Sequence, residues 1–351
     1  MLLDRIINYR LYAFELLFVC LVVLVHAFRY NEQYILDSLG RATVLFFFIF
    51  SGYYYNRTIN KKNYKYKKTL KRCLRLLIIA FAVIVIYIGE VFMLRWSELC
   101  GIPLFSVGFS VRNFVDFIYA NEFAFVWFIF SLVWCYLLFP IINKIRWIQE
   151  KKHSLVLSVI ILIVVYAFRV FAGKYKLSTD YFSFSNIVLT RNALFTGMPR
   201  FFIGTYIYDN LEKIKTISIA KYTFLFFLLI ASTISEACIH MCIGSDVNEF
   251  YISSILLSTV TVIHCLQVPQ SRIGEVIYKV LGFTGPTFVY LSHVFFLVVY
   301  KKIMSFPNSD FLIIPLAIIS SMVIACVFYQ VRIISVRTPT ERLYANSHLQ
   351  G

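Results

Sequence analysis

The sequence predicts an all-α integral membrane protein of about ten transmembrane helices, with both termini in the cytoplasm, and three observations carry that prediction. The 351 residues are 60% hydrophobic and 18% aromatic but only 15% charged, with a mean hydropathy of +0.76. That is more apolar surface than one water-facing core could hide. The apolar residues come in continuous runs close to the roughly 20 needed to cross a bilayer, without the period-two alternation of barrel strands. The basic residues alternate in density from one inter-span segment to the next, which orients the chain.

The spans follow in order, and each is read as a helix because lipid offers the backbone no hydrogen-bonding partner outside its own segment. LYAFELLFVCLVVLVHAF, residues 11–28, is the first. It does not look like a cleaved signal, since no small-residue cleavage site follows it and a charged stretch leads into a second span. Further spans are expected at about 41–56, 73–96, 123–143, 154–172, 194–210, 221–243, 250–268, 278–300 and 311–332. The sixth is short and carries Pro199 and Arg200, so a broken or half-buried segment is the alternative there. Residues 1–335 form one membrane-embedded domain, because no stretch between spans is long enough for a soluble one. The polar end 336–351 is a tail.

With a cytoplasmic amino terminus, the inside segments hold 23 Lys and Arg and the outside segments 9. This asymmetry satisfies the positive-inside rule. Much of the +16 net charge lies in RTINKKNYKYKKTLKRCLR, residues 57–75, which is expected to rest against the anionic cytoplasmic leaflet. Its interleaved aromatics resemble a nucleic-acid surface, but spans flank it on both sides, so no nucleic acid is expected as a partner. The eight cysteines are scattered and mostly within spans, where cysteine acts as a small apolar residue. In CIHMC, His240 points away from Cys238 and Cys242 on a helix, so no metal site is expected. Neither a glycine-rich phosphate loop nor a GxSxG elbow is present.

Ionisable groups within spans are costly and therefore candidates for function. They are Glu15, His26, Glu90, Arg169, Arg200, Glu236, His240, His264 and His293, with Arg29 and Arg41 at span ends. Each taken alone can be a snorkelling or paired structural residue. His26, Glu90, Arg169, Glu236, Arg41 and Arg200 fall in the outer halves of their spans and His293 slightly outward of the middle, which predicts a polar cavity opening outward. A histidine there can serve as base or nucleophile and an arginine can stabilise an oxyanion, chemistry that suits acyl transfer to a hydroxyl.

Six segments in order then resemble one family. These are LVVLVHAF with His26; GRATVLFFFIFSGYYYNR with Arg41, Phe46, Phe47, Ser51 and Gly52; KKTLKRCLRLL; VWFIFSLVWCYLLFPII with Trp127; GMPRFFIGTYIY with Gly204; and LGFTGPTFVYLSHVFFLVV with Tyr290 and His293. Together they resemble the membrane-bound acyltransferase-3 family of O-acetyltransferase-like integral membrane acyltransferases, over roughly residues 10–335. The sequence departs from the family pattern at Glu15, where many members have arginine, and at Leu45 and Val294, where they have proline.

The resemblance implies an O-acyltransferase of a bacterial inner or plasma membrane, a multi-pass protein. The donor substrate would be a cytoplasmic acyl-CoA, acetyl-CoA in the first instance, with no other cofactor. The acceptor would be a hydroxyl of an extracytoplasmic or lipid-linked glycan. It assigns His26 as the catalytic base and Arg41 as the group that steadies charge. His293, Arg169, Arg200, Trp127, Glu90, Ser51 and Tyr290 would bind or position substrate. The alternative is a non-enzymatic transporter of a small polar solute or glycan on the same fold, which Glu15 favours and His26 with Arg41 disfavours.

Overall fold

The computed structural model describes residues 8–27, 34–60, 66–94, 126–174, 192–242, 251–282, 284–304 and 310–336. Every regular element among them is a helix. In chain order these are α1 (Tyr9–Ala27), α2 (Tyr34–Ile59), α3 (Tyr66–Leu94), α4 (Trp127–Ile142), α5 (Arg146–Gln149) and α6 (Lys151–Lys174). A π-helical turn (Ala193–Gly197) leads into α7 (Met198–Asp209), followed by α8 (Leu211–Lys215), α9 (Ile219–Cys242) and α10 (Ile252–Gln267). The last three are α11 (Arg272–Leu281), α12 (Gly285–Ile303) and α13 (Asp310–Val336). Arg29 and the tail from 337 onward lie outside the described residues.

Helix is found along each of the ten expected runs as far as the residues are described, although far fewer than ten of these helices are by themselves long and apolar enough to cross a membrane, and two of the runs differ from expectation. The sixth is continuous but irregular: a π-helical turn runs directly into α7, and Pro199 sits in the first turn of α7, where its missing N–H costs nothing. The ninth expectation, 278–300, starts too early. Gly282 adopts φ 67° and ends α11, and α12 starts only at Gly285, with Pro286 in its first turn. Among the described residues three helical segments, α1, α9 and Leu312–Val331 within α13, are long and apolar enough by themselves to cross a membrane, and α10 with α11, bent by 96° between them, would make a fourth if counted as one span. Trp127–Ile142 and Lys152–Phe168 are apolar but shorter.

The outward faces agree with a lipid surround. On α3, Leu74, Ile78, Phe81 and Val85 recur at helical spacing and all are exposed, Val85 by 66%. Exposed apolar side chains also line α6 (Val156, Ile160, Ile163) and α13 (Ile319, Val323, Val327). Apolar stripes of this length on several helices would be a liability in water and are neutral in hydrocarbon.

The chain divides into two compact units. The first comprises Met1–Phe28 with Val268–Gly351 and so joins α1 to α11, α12 and α13. Here α1 and α12 run in the same direction. The Tyr12 hydroxyl donates to the Gly282 carbonyl at 2.5 Å just ahead of α12, and the Lys301 ammonium donates to the Ala27 carbonyl at 2.7 Å at the far end. α13 returns antiparallel to α12, with Phe288 stacked on Phe328 at 4.9 Å and the Tyr300 and Ser320 hydroxyls bonded at 2.6 Å. Val23, Ala27, Leu297, Ile313, Ile314 and Ala317 form the apolar core where the three helices meet.

The second unit, Arg29–Gln267, is built around α2. α2 crosses α7 with almost no space between backbones. A Cβ on Gly52 would overlap the Phe201 carbonyl, and one on Gly204 would overlap the Ile49 carbonyl. Such glycine contacts let helices associate where hydrophobicity cannot drive them together. α10 grips another stretch of α2 through hydroxyls, Ser254 Oγ donating to the Ser38 carbonyl at 3.1 Å and Ser258 Oγ to the Ala42 carbonyl at 2.7 Å. At the opposite end of α2, Tyr55 is enclosed by the rings of Tyr136, Phe139 and Phe201 at 5.1 to 5.6 Å.

Candidate active site

In the first unit the end of α1 carries the family histidine. His26 is the penultimate residue of the helix and is exposed, while its neighbours Val22, Val23 and Ala27 are buried in the core. Its ring centre stands 5.3 Å from that of His293, the planes tilted by 40°.

His293 itself is completely buried. Helical side chains lean back toward the preceding turn, and His293 Nδ1 meets the Tyr290 carbonyl three residues earlier, at 2.5 Å. A carbonyl oxygen can only accept, so Nδ1 carries the proton and in the neutral ring Nε2 is left as the lone-pair nitrogen. The Tyr290 ring packs beside the imidazole at 5.8 Å and is itself buried. Two predicted site residues of α12 are thus brought to one place with His26. Tyr290 acts on the ring through its main chain as well as its side chain, a detail that a motif cannot express.

Glu15 lies eleven residues before His26 on α1. Eleven residues are close to three turns, so both side chains leave the helix on the same face. Glu15 is half-buried and makes neither a hydrogen bond nor an ion pair among the described residues.

Arg41, Ser51, Trp127 and Arg200 belong to the second unit. Arg41 is half-buried on α2, directly before Ala42, whose carbonyl is held by Ser258. Ser51 is buried next to Gly52. Trp127 opens α4, half-buried, with its ring 6.1 Å from that of Phe48. Arg200 is fully buried, one residue before the Phe201 carbonyl on which Gly52 rests, and its Nη1 donates to the Thr196 carbonyl at 2.5 Å. Glu90 lies on α3 and Arg169 on α6, but their side chains are outside the described residues.

Three other candidates from within the expected spans, Glu236, His240 and His264, have structural work. Both oxygens of Glu236 on α9 take backbone N–H groups at the start of α10, Ile252 N at 3.0 Å and Ser253 N at 2.9 Å, and the Ser253 hydroxyl also donates to it. These are donors that a helix start leaves open, and a carboxylate suits them. His240 lies one turn on, its Nε2 3.1 Å from the Tyr166 hydroxyl and 3.9 Å from Glu236. His264 is bonded to the Thr223 hydroxyl at 3.1 Å. In the sequence Lys301 is one basic residue among several; its bond to the Ala27 carbonyl, next to His26, requires the fold.

A family model described as an acyltransferase domain matches residues 9–330, nearly the whole chain. No curated protein and no solved structure gives a significant match. The matched region includes all six motif segments and both histidines of the first unit, and the apolar helices that carry them are those of a membrane protein. The chain therefore belongs to the acyltransferase-3 family and is a membrane acyltransferase.

Proposed function

We propose that the protein transfers an acyl group, in the first instance acetyl, from a cytoplasmic acyl-CoA to a hydroxyl of an extracytoplasmic or lipid-linked glycan. It crosses the membrane ten times with both termini inside, in a bacterial cell membrane. The observation that carries the chemical part is the exposed His26 imidazole set against the buried His293 ring.

In this reading a neutral His26 nitrogen takes the proton of the acceptor hydroxyl as its oxygen attacks the thioester carbonyl carbon. The tetrahedral oxyanion collapses with cleavage of the C–S bond, and the departing thiolate takes the proton back from His26, giving the ester and free CoA. His293, whose tautomer is held by the Tyr290 carbonyl, supports the His26 ring. The role of Arg41, to steady the oxyanion, rests on its motif. Ser51 and Trp127, on their motifs, and Arg200, Arg169 and Glu90, on their expected depth in the spans, are candidates for positioning substrate.

The half-buried Glu15, with no ion pair among the described residues, supports a second reading, a transporter of a small polar solute. One experiment separates the two. Surface glycan from cells expressing the intact protein, His26→Ala or no protein is compared by mass spectrometry. Acyl mass should appear with the intact protein and fall about 10²- to 10⁴-fold with His26→Ala, as general-base loss does. No acyl mass on any surface polymer, together with accumulation of a labelled solute, would replace the enzyme reading by the transporter.

A further inference from the structure

The last carbonyls of a helix have no partner within it, and a cationic side chain is one of the groups that can meet them. The Ala27 carbonyl takes the Lys301 ammonium across from α12, at 2.7 Å. A lysine at a span end ordinarily extends toward water. The adjacent Lys302 is exposed as expected, whereas Lys301 is half-buried with its head group on a carbonyl.

The position of that carbonyl matters. Ala27 directly follows His26, and helix ends fray. An exposed imidazole in the last turn moves with it. α12 carries both the ring that His26 meets, His293, and the cation that holds the turn in place, eight residues further along. Below this bond Val23 and Ala27 pack against Leu297 and Ile313. The turn is thus fixed by an apolar contact on one side and a charge-assisted hydrogen bond at its end.

The geometry points to Lys301 as a positioning residue for acyl transfer: its ammonium ties the last turn of α1 to α12 and so keeps the His26 imidazole over His293. This rests on His26 being the base. Displacement of a reacting group by about 1 Å can cost on the order of 10²-fold in rate. Loss of the tie therefore acts on turnover and leaves binding of the donor alone.

The test uses the full-length protein in membrane vesicles, with radiolabelled acetyl-CoA as donor and the lipid-linked glycans of the expressing strain as acceptor. Lys301→Met should lower kcat by about 10- to 100-fold at unchanged KM for acetyl-CoA. Lys301→Arg, which keeps a cationic donor, should recover most of the rate, and Lys302→Met should match the native protein. In a His26→Gln background, Lys301→Met should cause no further loss, since a residue acting through His26 has nothing left to position. Native kcat in Lys301→Met, or the same fold-loss with and without His26, overturns the proposal. Should Lys301→Met fail to fold, Lys301→Gln shortens the reach while keeping a donor, and native kcat in that variant overturns it equally. Full activity in His26→Ala refutes the His26 reading itself, and this result is distinct from a silent Lys301→Met beside an inactive His26→Ala.

Discussion

Gly52 on α2 rests directly on the main-chain carbonyl of Phe201 on α7, with no room for a Cβ between them, and Gly204 meets the Ile49 carbonyl in the same way. Two helices that approach this closely depend on both glycines. Gly52→Ala or Gly204→Ala must push one backbone off the other, because a carbonyl on a helix cannot turn aside as a side chain does. Each substitution is expected to cost about 1–3 kcal/mol. It should appear as a lower midpoint of thermal unfolding in detergent. Activity should fall with it, since Ser51 and Arg200 adjoin this crossing in the sequence. An alanine variant that melts with the native protein would show that the crossing is looser than its geometry.

Glu236 is expected to behave as a cap and to have little direct part in the chemistry. Glu236→Ala leaves the Ile252 and Ser253 N–H groups without their carboxylate and should destabilise the protein by about 2–3 kcal/mol. Glu236→Gln keeps a carbonyl acceptor and should lose about half as much. For protein that remains folded, kcat should be close to native in both. Denaturant titration in detergent and the vesicle assay read the two quantities separately. A stable Glu236→Gln without activity would move Glu236 into the catalytic machinery.

The orientation of the chain is testable without any assay of function. If the proposed ten-span topology holds, with 23 basic residues inside and 9 outside, a reporter active only in the cytoplasm should work when fused near Asn63 and be silent near Asp180. The reverse pattern would turn the protein over and place the His26 end of α1 on the cytoplasmic side.

The candidate site was legible in the sequence only as separate residues. The motifs picked out His26, Tyr290 and His293, and the structure joins all three in one unit. As an ionisable group within a span, Glu236 stood on equal terms with His26 and His293, since a charge in an apolar run is equally conspicuous whether it caps a helix or serves a reaction. What separates the cases is the partner. Glu236 meets the backbone of α10, and His26 meets another imidazole. Lys301 shows the converse: a lysine in a last turn is ordinary in sequence, and its contact with Ala27 gives it a particular role.

The sequence by itself determined the solvent, the helical class, the segments that became helices and the place of Pro199 in a first helical turn. Each of these depends on local quantities: the length of an apolar run, the proline that cannot donate, the need of every amide in lipid for a partner within its own segment. Only the tertiary structure decided which face of each helix meets which neighbour. That choice set His26 against His293, laid Gly52 on the Phe201 carbonyl and brought the Lys301 ammonium to the end of α1. The physical reason is that rotation and register of a helix are fixed by packing between segments far apart in the chain. In an apolar surround hydrophobicity is the same on every face and distinguishes none of them, so small residues and single hydrogen bonds set the fit.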